Sequence, residues 1–487
     1  MSTARPAGRV VEPELSIFGP QYRVATLGIL ILMTIIAFEA MAVATALPTA
    51  ARSLHGLASY GWAFTGFLVA SVVGMVASGL RSDVRGPRLP LLVGLVLFVA
   101  GLLLAGVAGQ MWLLIAARVV QGFAVGLLIT AMYVVMGEVY PDAVRPRIFA
   151  AQATSWVVPG LVGPVVAGWI TEQFSWRWVF GGLAPFAAVG GLLLLPSLRQ
   201  LRTASASQSQ RVDPRRIWYA LLTALGIAGV AGVGEHQNPV SVLLAVLGLF
   251  AMVFGLRQLL PAGTARLRPG VPAAIGFRGL LAAVFVGMEV LVPLTMSVQW
   301  HYSPTMSGLP LMLTAISWAV ASQLQGRRAE PDRARLLGIG LVLIAVAGVG
   351  MALVAGRWLP GWAALAVWPV AGFGAGFALT SVSVALLEYT NDVDRGSDSA
   401  SLQLADSSLS AVSAAYAGAL VALAATGRLG YGSALPVAFL TMAAIALLAL
   451  GGSARLRPAD GQPTRAVTGP AGPGSSVEAG LPRAVSS

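Results

Sequence analysis

The sequence predicts an all-α membrane protein of fourteen transmembrane helices, arranged as two pseudo-symmetric six-helix bundles plus two inserted linker helices. Three observations predict it. First, 57% of the 487 residues are hydrophobic and only 10% are charged, where a soluble globular domain carries about 25% charged residues. With mean hydropathy +0.80, the charges are too few to cover a soluble surface. Second, the arginines fall in alternate loops. Third, the chain repeats itself at an offset of 250 residues.

Fourteen apolar segments have spanning length, about 20 residues each. They lie near 24–48, 60–80, 88–109, 111–137, 147–171, 177–197, 217–235, 239–256, 272–296, 303–325, 335–355, 361–388, 399–426 and 433–453. The first resembles a signal peptide loosely through "AVATALPTAA". Its apolar run is too long for a signal-peptide core and contains Glu39, so it reads as a retained span. Placing the N-terminus in the cytoplasm puts Arg5, Arg9, Arg23, Arg81, Arg85, Arg88, Arg145 and Arg147 inside. Arg199, Arg202, Arg211, Arg215, Arg216, Arg257, Arg266 and Arg268 follow, and then Arg327, Arg328, Arg333, Arg335 and Arg395. The external loops receive only Arg52, Arg177, Arg357 and Arg428. A miscounted span would reverse the later loops, so this asymmetry predicts a multi-pass protein of the inner (plasma) membrane, N-in and C-in.

The repeat is seen by setting "QGFAVGLLIT" (121–130) against "AGFGAGFALT" (371–380). The same offset pairs Glu39 with Glu289, Glu138 with Glu388, Arg145 with Arg395 and Gly168 with Gly418. Charged matches are informative in a chain this poor in charge. The expected organisation is a cytoplasmic tail 1–23, a first six-helix bundle 24–197, and a basic linker with two extra spans 198–270. A second six-helix bundle 271–454 and a disordered cytoplasmic tail 455–487, rich in Gly, Pro, Ser and Ala, complete it. Paired helical halves are an architecture of secondary transporters, which hold their substrate between the halves.

Several function classes are excluded or disfavoured. There is no cysteine, hence no disulfide and no thiol chemistry. His55, His236 and His301 fall in separate predicted external loops, and no metal site is expected. "GFGAG" has neither the spacing nor the lysine of a phosphate-binding loop, and no cofactor is expected. Net charge +12 comes from 31 arginines with no lysine and is accounted for by the cytoplasmic loops, not by nucleic-acid binding. An enzyme needs a convergent constellation of reactive groups, whereas here the intramembrane ionisable residues are dispersed over different spans.

Those residues carry the chemistry. Glu39, in "FEAMAVATALP", lies about 24 Å along a helix that starts at Arg23, inside a hydrocarbon core about 30 Å thick. A charge there costs about 2.5–3.5 kcal/mol, so Glu39 must face a wet cavity, meet a partner or carry a proton. Glu289 occupies the repeat-equivalent place in span 9. Arg118 lies about 10 Å from the outer start of span 4, near the depth of Glu39, so the two are expected to be able to pair. Asp406 lies about 12 Å into span 13 and has no acidic counterpart, since position 156 is Trp156. Proton transfer and polar bonding between helices are both open for it.

The motifs resemble the major facilitator superfamily, and within it the fourteen-span drug:proton antiporter branch, over residues 24–455. "GLRSDVRGPR" (79–88) is similar to the superfamily's loop between spans 2 and 3 through Gly79, Asp83, Gly86 and Arg88, with Arg81 and Pro87 departing from the pattern. "RVVQG" (118–122), which includes Gln121, matches the span-4 motif in full. "GPVVAG" (163–168) resembles the span-5 antiporter motif through Gly160, Gly163, Pro164 and Gly168, with Pro159 and Ala167 where glycine is usual. The resemblance implies a proton-relay role for Arg118, and Glu39, Arg118, Gln121, Glu289 and Asp406 are together the candidate residues for proton coupling and translocation. It implies a cytoplasmic gate at Asp83 and Arg88, and leak-tight packing at span 5. The implied activity is proton-coupled efflux of amphipathic or cationic drugs or antibiotics by alternating access, carried out by a monomer. Export of one natural product or lipid, and a non-transporting receptor, remain alternatives. Trp62, Tyr133, Trp156, Phe180 and Trp368 are candidates to line the cavity or to serve as core and interface anchors.

The absence of native cysteine makes sidedness measurable with single cysteines. Ser207→Cys is expected to be shielded from a membrane-impermeant maleimide in intact cells, and Arg428→Cys to be labelled. The reverse pattern refutes the N-in assignment.

Overall fold

A computed structural model describes residues 16–141, 144–196, 215–232, 239–327, 332–390 and 395–457. The expected tails at 1–15 and 458–487, most of the linker (197–214) and His236 lie outside these residues. The chain forms helices α1 (Arg23–Ser53), α2 (Tyr60–Arg85), α3 (Arg88–Gly106), α4 (Met111–Val139), α5 (Arg145–Thr154), α6 (Val157–Gln173), α7 (Trp176–Gly181) and α8 (Ala184–Leu194). A pair follows, α9 (Arg215–Ala231) and α10 (Pro239–Leu259). The rest is α11 (Val271–Glu289), α12 (Val292–Gln299), α13 (Pro304–Gly326), α14 (Arg333–Ala355), α15 (Ala364–Tyr389), α16 (Arg395–Ala425) and α17 (Tyr431–Leu450). No strand occurs among the described residues.

Twelve helical stretches among the described residues are long and apolar enough to cross a membrane. The two expected inserted spans appear as α9, which is 17 residues long, and α10, which carries the shorter apolar stretch Leu243–Leu259. They pack on each other through glycines. A Cβ on Gly226 would lie 2.5 Å from the Gly248 carbonyl, so only glycine permits that approach. The pair leans on α2 and α16.

Three expected continuous spans are broken. Span 5 divides into α5 and α6, span 6 into α7 and α8, and span 9 into α11 and α12. Each second piece has a proline in its first turn, at Pro159, Pro185 and Pro293. Proline has no N–H for the carbonyl four residues earlier and clashes with it, so the helix restarts there. At span 9 the carbonyl deprived of a donor is that of Glu289.

The repeat is visible in the packing. Helix α2 packs on α4 as α13 packs on α15, α3 on α4 as α14 on α15, and α1 on α6 as α11 on α16. Helices α4 and α15 end at Val139 and Tyr389, and α5 and α16 begin at Arg145 and Arg395, the 250-residue offset again. Across the halves α2 packs on α16 and α6 on α13, a pair of contacts that the repeat exchanges.

These inter-half contacts are closest at the face opposite the start of α1, termed the far face. A Cβ on Gly61 would stand 2.2 Å from Gly418 Cα, and one on Gly168 would stand 2.6 Å from Thr305 Cα. Polar bonds bridge the same face. Tyr60 donates its hydroxyl to the Val290 carbonyl at 2.8 Å, Arg52 Nη1 donates to the Ser297 carbonyl at 3.1 Å, and Thr305 N–H donates to Glu172 Oε1 at 2.6 Å. Toward the near face, α4 and α5 make no extended packing with α11 or α15 among the described residues.

Within the first half, a Cβ on Gly122 would lie 2.0 Å from the Phe67 carbonyl, whereas one on Gly79 would meet nothing within 4 Å. Gly122→Ala is therefore expected to cost about 1–3 kcal/mol by overpacking. Gly79→Ala is expected to be neutral or to gain about 0.5–1 kcal/mol of helix propensity. Thermal unfolding of the purified protein checks both, and equal effects would refute the packing argument.

Candidate functional site

Glu39 and Arg118 meet. Their side chains are 0% and 2% exposed, on α1 and α4, and Arg118 Nη1 donates to Glu39 Oε1. The guanidinium has further partners. Nη1 also donates to Gln121 Oε1 at 2.7 Å, Nε donates to the Ala63 carbonyl at 3.2 Å, and the plane lies 4.1 Å from the Phe67 ring centroid. Gly101 of α3 makes room for Gln121, because a Cβ there would stand 2.7 Å from Gln121 Cγ. Glu39 Oε2 and Gln121 Nε2 are buried without a hydrogen-bond partner among the described residues. A buried ion pair is stable only while both partners are charged and bonded. A proton on Glu39 would remove one charge and leave Arg118 to Gln121 and Ala63. The arrangement can thus convert one proton into a change of bonding between α1 and α4.

Glu289 closes α11 immediately before the helix break. It is partly exposed and makes no hydrogen bond or ion pair among the described residues. The span containing it, Val271–Gln299, has the largest buried share of the twelve, 83%. The Tyr60 bond to Val290 comes from the other half and places Glu289 at the boundary between the halves.

Asp406 of α16 is paired with Arg278 of α11 at 2.5 Å, with both side chains about 20% exposed. Arg278 also donates from Nη1 to Ser383 Oγ at 3.3 Å. Arg278 is not among the residues that the sequence analysis singles out. The helix begins at Val271, which places Arg278 seven residues inside it. Tyr133, from the first half, lies within the electrostatic reach of Arg278 and bonds Gln152 at 3.5 Å. The signal that would have found the Arg278–Asp406 pair is the repeat itself, since α11 and α16 correspond to α1 and α6, which pack together.

The other expected residues are distributed as follows. Asp83 and Arg88 are exposed and not paired with each other; Asp83 instead lies within the electrostatic reach of Arg216 on α9. Gly86 has φ +78°, the left-handed region that favours glycine, and it caps α2. Of the span-5 residues, Gly168 meets Thr305 backbone and Pro164 presents its carbonyl to Gly308, whose Cβ would stand 2.6 Å away. Gly160 and Gly163 leave room for a Cβ, with nearest atoms at 3.4 Å. Trp368 and Phe180 are fully buried core residues, and Trp62 packs against the α9–α16 side. Tyr133 and Trp156 retain exposure.

Two helical halves of like packing order, with an ion pair buried inside the first, define a multi-pass membrane fold of paired bundles. The chain belongs to the Major Facilitator Superfamily, whose family model matches residues 29–289, more than half of the sequence. An uncharacterized MFS-type transporter of Schizosaccharomyces pombe is 24% identical over 345 residues, 67% of this chain and 58% of that protein. The match thus spans under two thirds of that relative's length. A protein of Mycobacterium tuberculosis named a probable multidrug-efflux transporter is 25% identical over 426 residues, 83% of this chain and 88% of that one. Among solved structures, a POT family transporter in complex with 5-aminolevulinic acid superposes with TM-score 0.63 at 14% identity, covering 90% of this chain and 97% of that one. The human organic anion transporter MFSD10 superposes with TM-score 0.58 at 16% identity, covering 90% and 100%. At these identities the structural likeness shows the fold.

Breaking a buried pair by removing one partner costs about 3–5 kcal/mol, and replacing both is far cheaper. Arg118→Gln is therefore expected to lower the thermal stability of the purified protein markedly, and Glu39→Gln/Arg118→Gln to recover part of the loss. Strictly additive single effects would refute the pair.

Proposed function

We propose that the protein is a secondary transporter of the plasma membrane that exports amphipathic or cationic compounds in exchange for protons. The observation that carries the reading is the Glu39–Arg118 pair. It is the only ion pair among the described residues with both side chains under 10% exposed. It also leaves one carboxylate oxygen unpartnered. A buried carboxylate whose partner is fixed can take up a proton only by rearranging its surroundings, which is what coupling requires. Support for efflux comes from relatives named for it, including a multidrug transporter protein of Bacillus subtilis that is 29% identical over 153 residues, 31% of this chain and 28% of that one.

In this reading the two halves rock about the cleft between them. Far-face contacts at Gly61–Gly418 and Gly168–Thr305 part in one state, and the near-face residues Asp83 and Arg88 engage in the other. Helices α9 and α10 also cross the bilayer, which gives fourteen spans with both termini cytoplasmic. The apolar surface of α10, with Leu243, Leu247, Phe250 and Phe254 exposed, supports lipid contact. The protein acts as a monomer, and its partners are the cargo, protons and lipid.

The test is ethidium efflux from proteoliposomes with and without an imposed pH gradient. Wild type is expected to show gradient-driven efflux and Glu39→Gln to lose at least about tenfold of it, in line with coupling free energies of a few kcal/mol. Undiminished gradient-driven efflux in the variant would remove Glu39 from the coupling step.

A further inference from the structure

Helices α9 and α10 stand outside the repeat, and their placement is one-sided. Two seams join the halves, α2–α16 and α6–α13, and the repeat exchanges them. Helix α9 packs on both α2 and α16. Neither α9 nor α10 makes extended packing with α6 or α13 among the described residues. Helix α9 follows its seam at two levels. Ala220 of α9 joins Val72 of α2 and Leu404 of α16 in one buried cluster. Further along, Ile227 and Ala231 join Ala411 and Ala415 of α16, with Trp62 and Leu68 of α2 packed against them. Positions 220, 227 and 231 recur at helical spacing, so one face of α9 covers both sides of the seam. Ala231, with Trp62 and Ala415, also lines a shallow groove over the Gly61–Gly418 contact. At the near end of α2, Asp83 lies within the electrostatic reach of Arg216 on α9.

The pair is fastened to the second half by the chain itself. Helix α10 ends at Leu259 and α11 begins at Val271. Between them the turn Thr264–Arg266 lies on α11, where a Cβ on Gly276 would stand 2.9 Å from the Thr264 carbonyl. Arg455, after the last helix of the second half, donates from Nη1 to the Arg266 carbonyl at 2.8 Å. The close Gly226–Gly248 approach then holds α9 to α10. The hairpin is thus anchored to the second half at its base and grips α2 of the first half along its length. The α6–α13 seam has no such cover. Its far end is held by the Glu172 bond to the Thr305 N–H, in an exposed position where water can replace either partner.

We propose that the α9–α10 pair is a strap that tethers α2 of the first half to the second half. When the far face opens, the halves part more widely at α6–α13 than at α2–α16. Drawing α2 far from α16 would strip α9 of its contacts with one of them, whereas parting α6 from α13 leaves the strap intact. The outer mouth of the cleft is therefore one-sided, and cargo leaves on the α6–α13 side. This assignment rests on the rocking motion in the reading above and gives that motion a direction.

The experiment is distance measurement by electron double resonance on the full chain in nanodiscs, which the lack of native cysteine permits. Spin labels at Phe174→Cys/Met306→Cys read the far end of the α6–α13 seam, where both native side chains are exposed. Labels at Ser59→Cys/Thr426→Cys read the far end of the α2–α16 seam. Distances are taken at acid and alkaline pH, with and without ethidium. The α6–α13 distance is expected to lengthen by about 5 Å or more between conditions, the scale of helix shifts in such transitions, and the α2–α16 distance by clearly less. Ala220→Trp, which forces α9 off the seam, and the milder Ile227→Ala are each expected to let the two distances lengthen alike. Equal lengthening at both seams with the strap intact, or inequality that persists in both strap variants, overturns the strap and leaves the rocking motion standing. No lengthening at either seam overturns the rocking motion, and the strap with it.

Discussion

A bilayer interior supplies no hydrogen bonds, so each polar group placed there must find its partner within the protein. That constraint orders most of what the structure shows. Arg118 spends its donors on Glu39, Gln121 and a backbone carbonyl. Arg278 is held by Asp406 and Ser383, and Arg333 by Glu388. The hydroxyl of Tyr60 goes to a carbonyl beside the proline-induced break of span 9.

The duplication sharpens this. Two six-helix units with the same packing order differ in which buried charges they satisfy internally. In the first, an acid and an arginine neutralise each other at the α1–α4 contact. In the second, the acid is kept and the arginine is replaced by an aromatic ring, while an ion pair appears elsewhere, between α11 and α16. Equivalent backbone frames therefore carry unequal electrostatics, and the asymmetry lies at the interface where the halves face one another.

Much of this was legible in the sequence. Apolar length and the arginine alternation locate the spans, because the cost of burying charge leaves few other choices. The Glu39–Arg118 contact follows from matching depths on antiparallel helices. What escaped the sequence has physical causes too. The breaks at Pro159, Pro185 and Pro293 were hidden because apolar runs continue through them, and hydropathy is blind to a missing N–H. Arg278 escaped notice because an arginine near a span's cytoplasmic end is usual. Trp368 looked like cavity lining by composition, yet the stacking that buries it depends on Phe285 and Trp318 from two other helices. Gly79 and Gly86 look alike in the motif, but only Gly86 has a backbone conformation that calls for glycine.

At the far face the halves meet through Gly61, Gly418 and Gly168. Backbone lies against backbone at Gly61–Gly418 and at Gly168–Thr305, while the Tyr60 side chain, 1% exposed, crosses to the Val290 carbonyl. The bonds of Tyr60, Arg52 and Thr305 across the halves each contribute a net of about 0.5–1.5 kcal/mol, beside an apolar cluster that joins Leu47 and Phe64 of the first half to Leu291 and Met296 of the second. Glycine thus sets the distance of closest approach: any larger residue at Gly61 or Gly168 would act as a wedge between the halves.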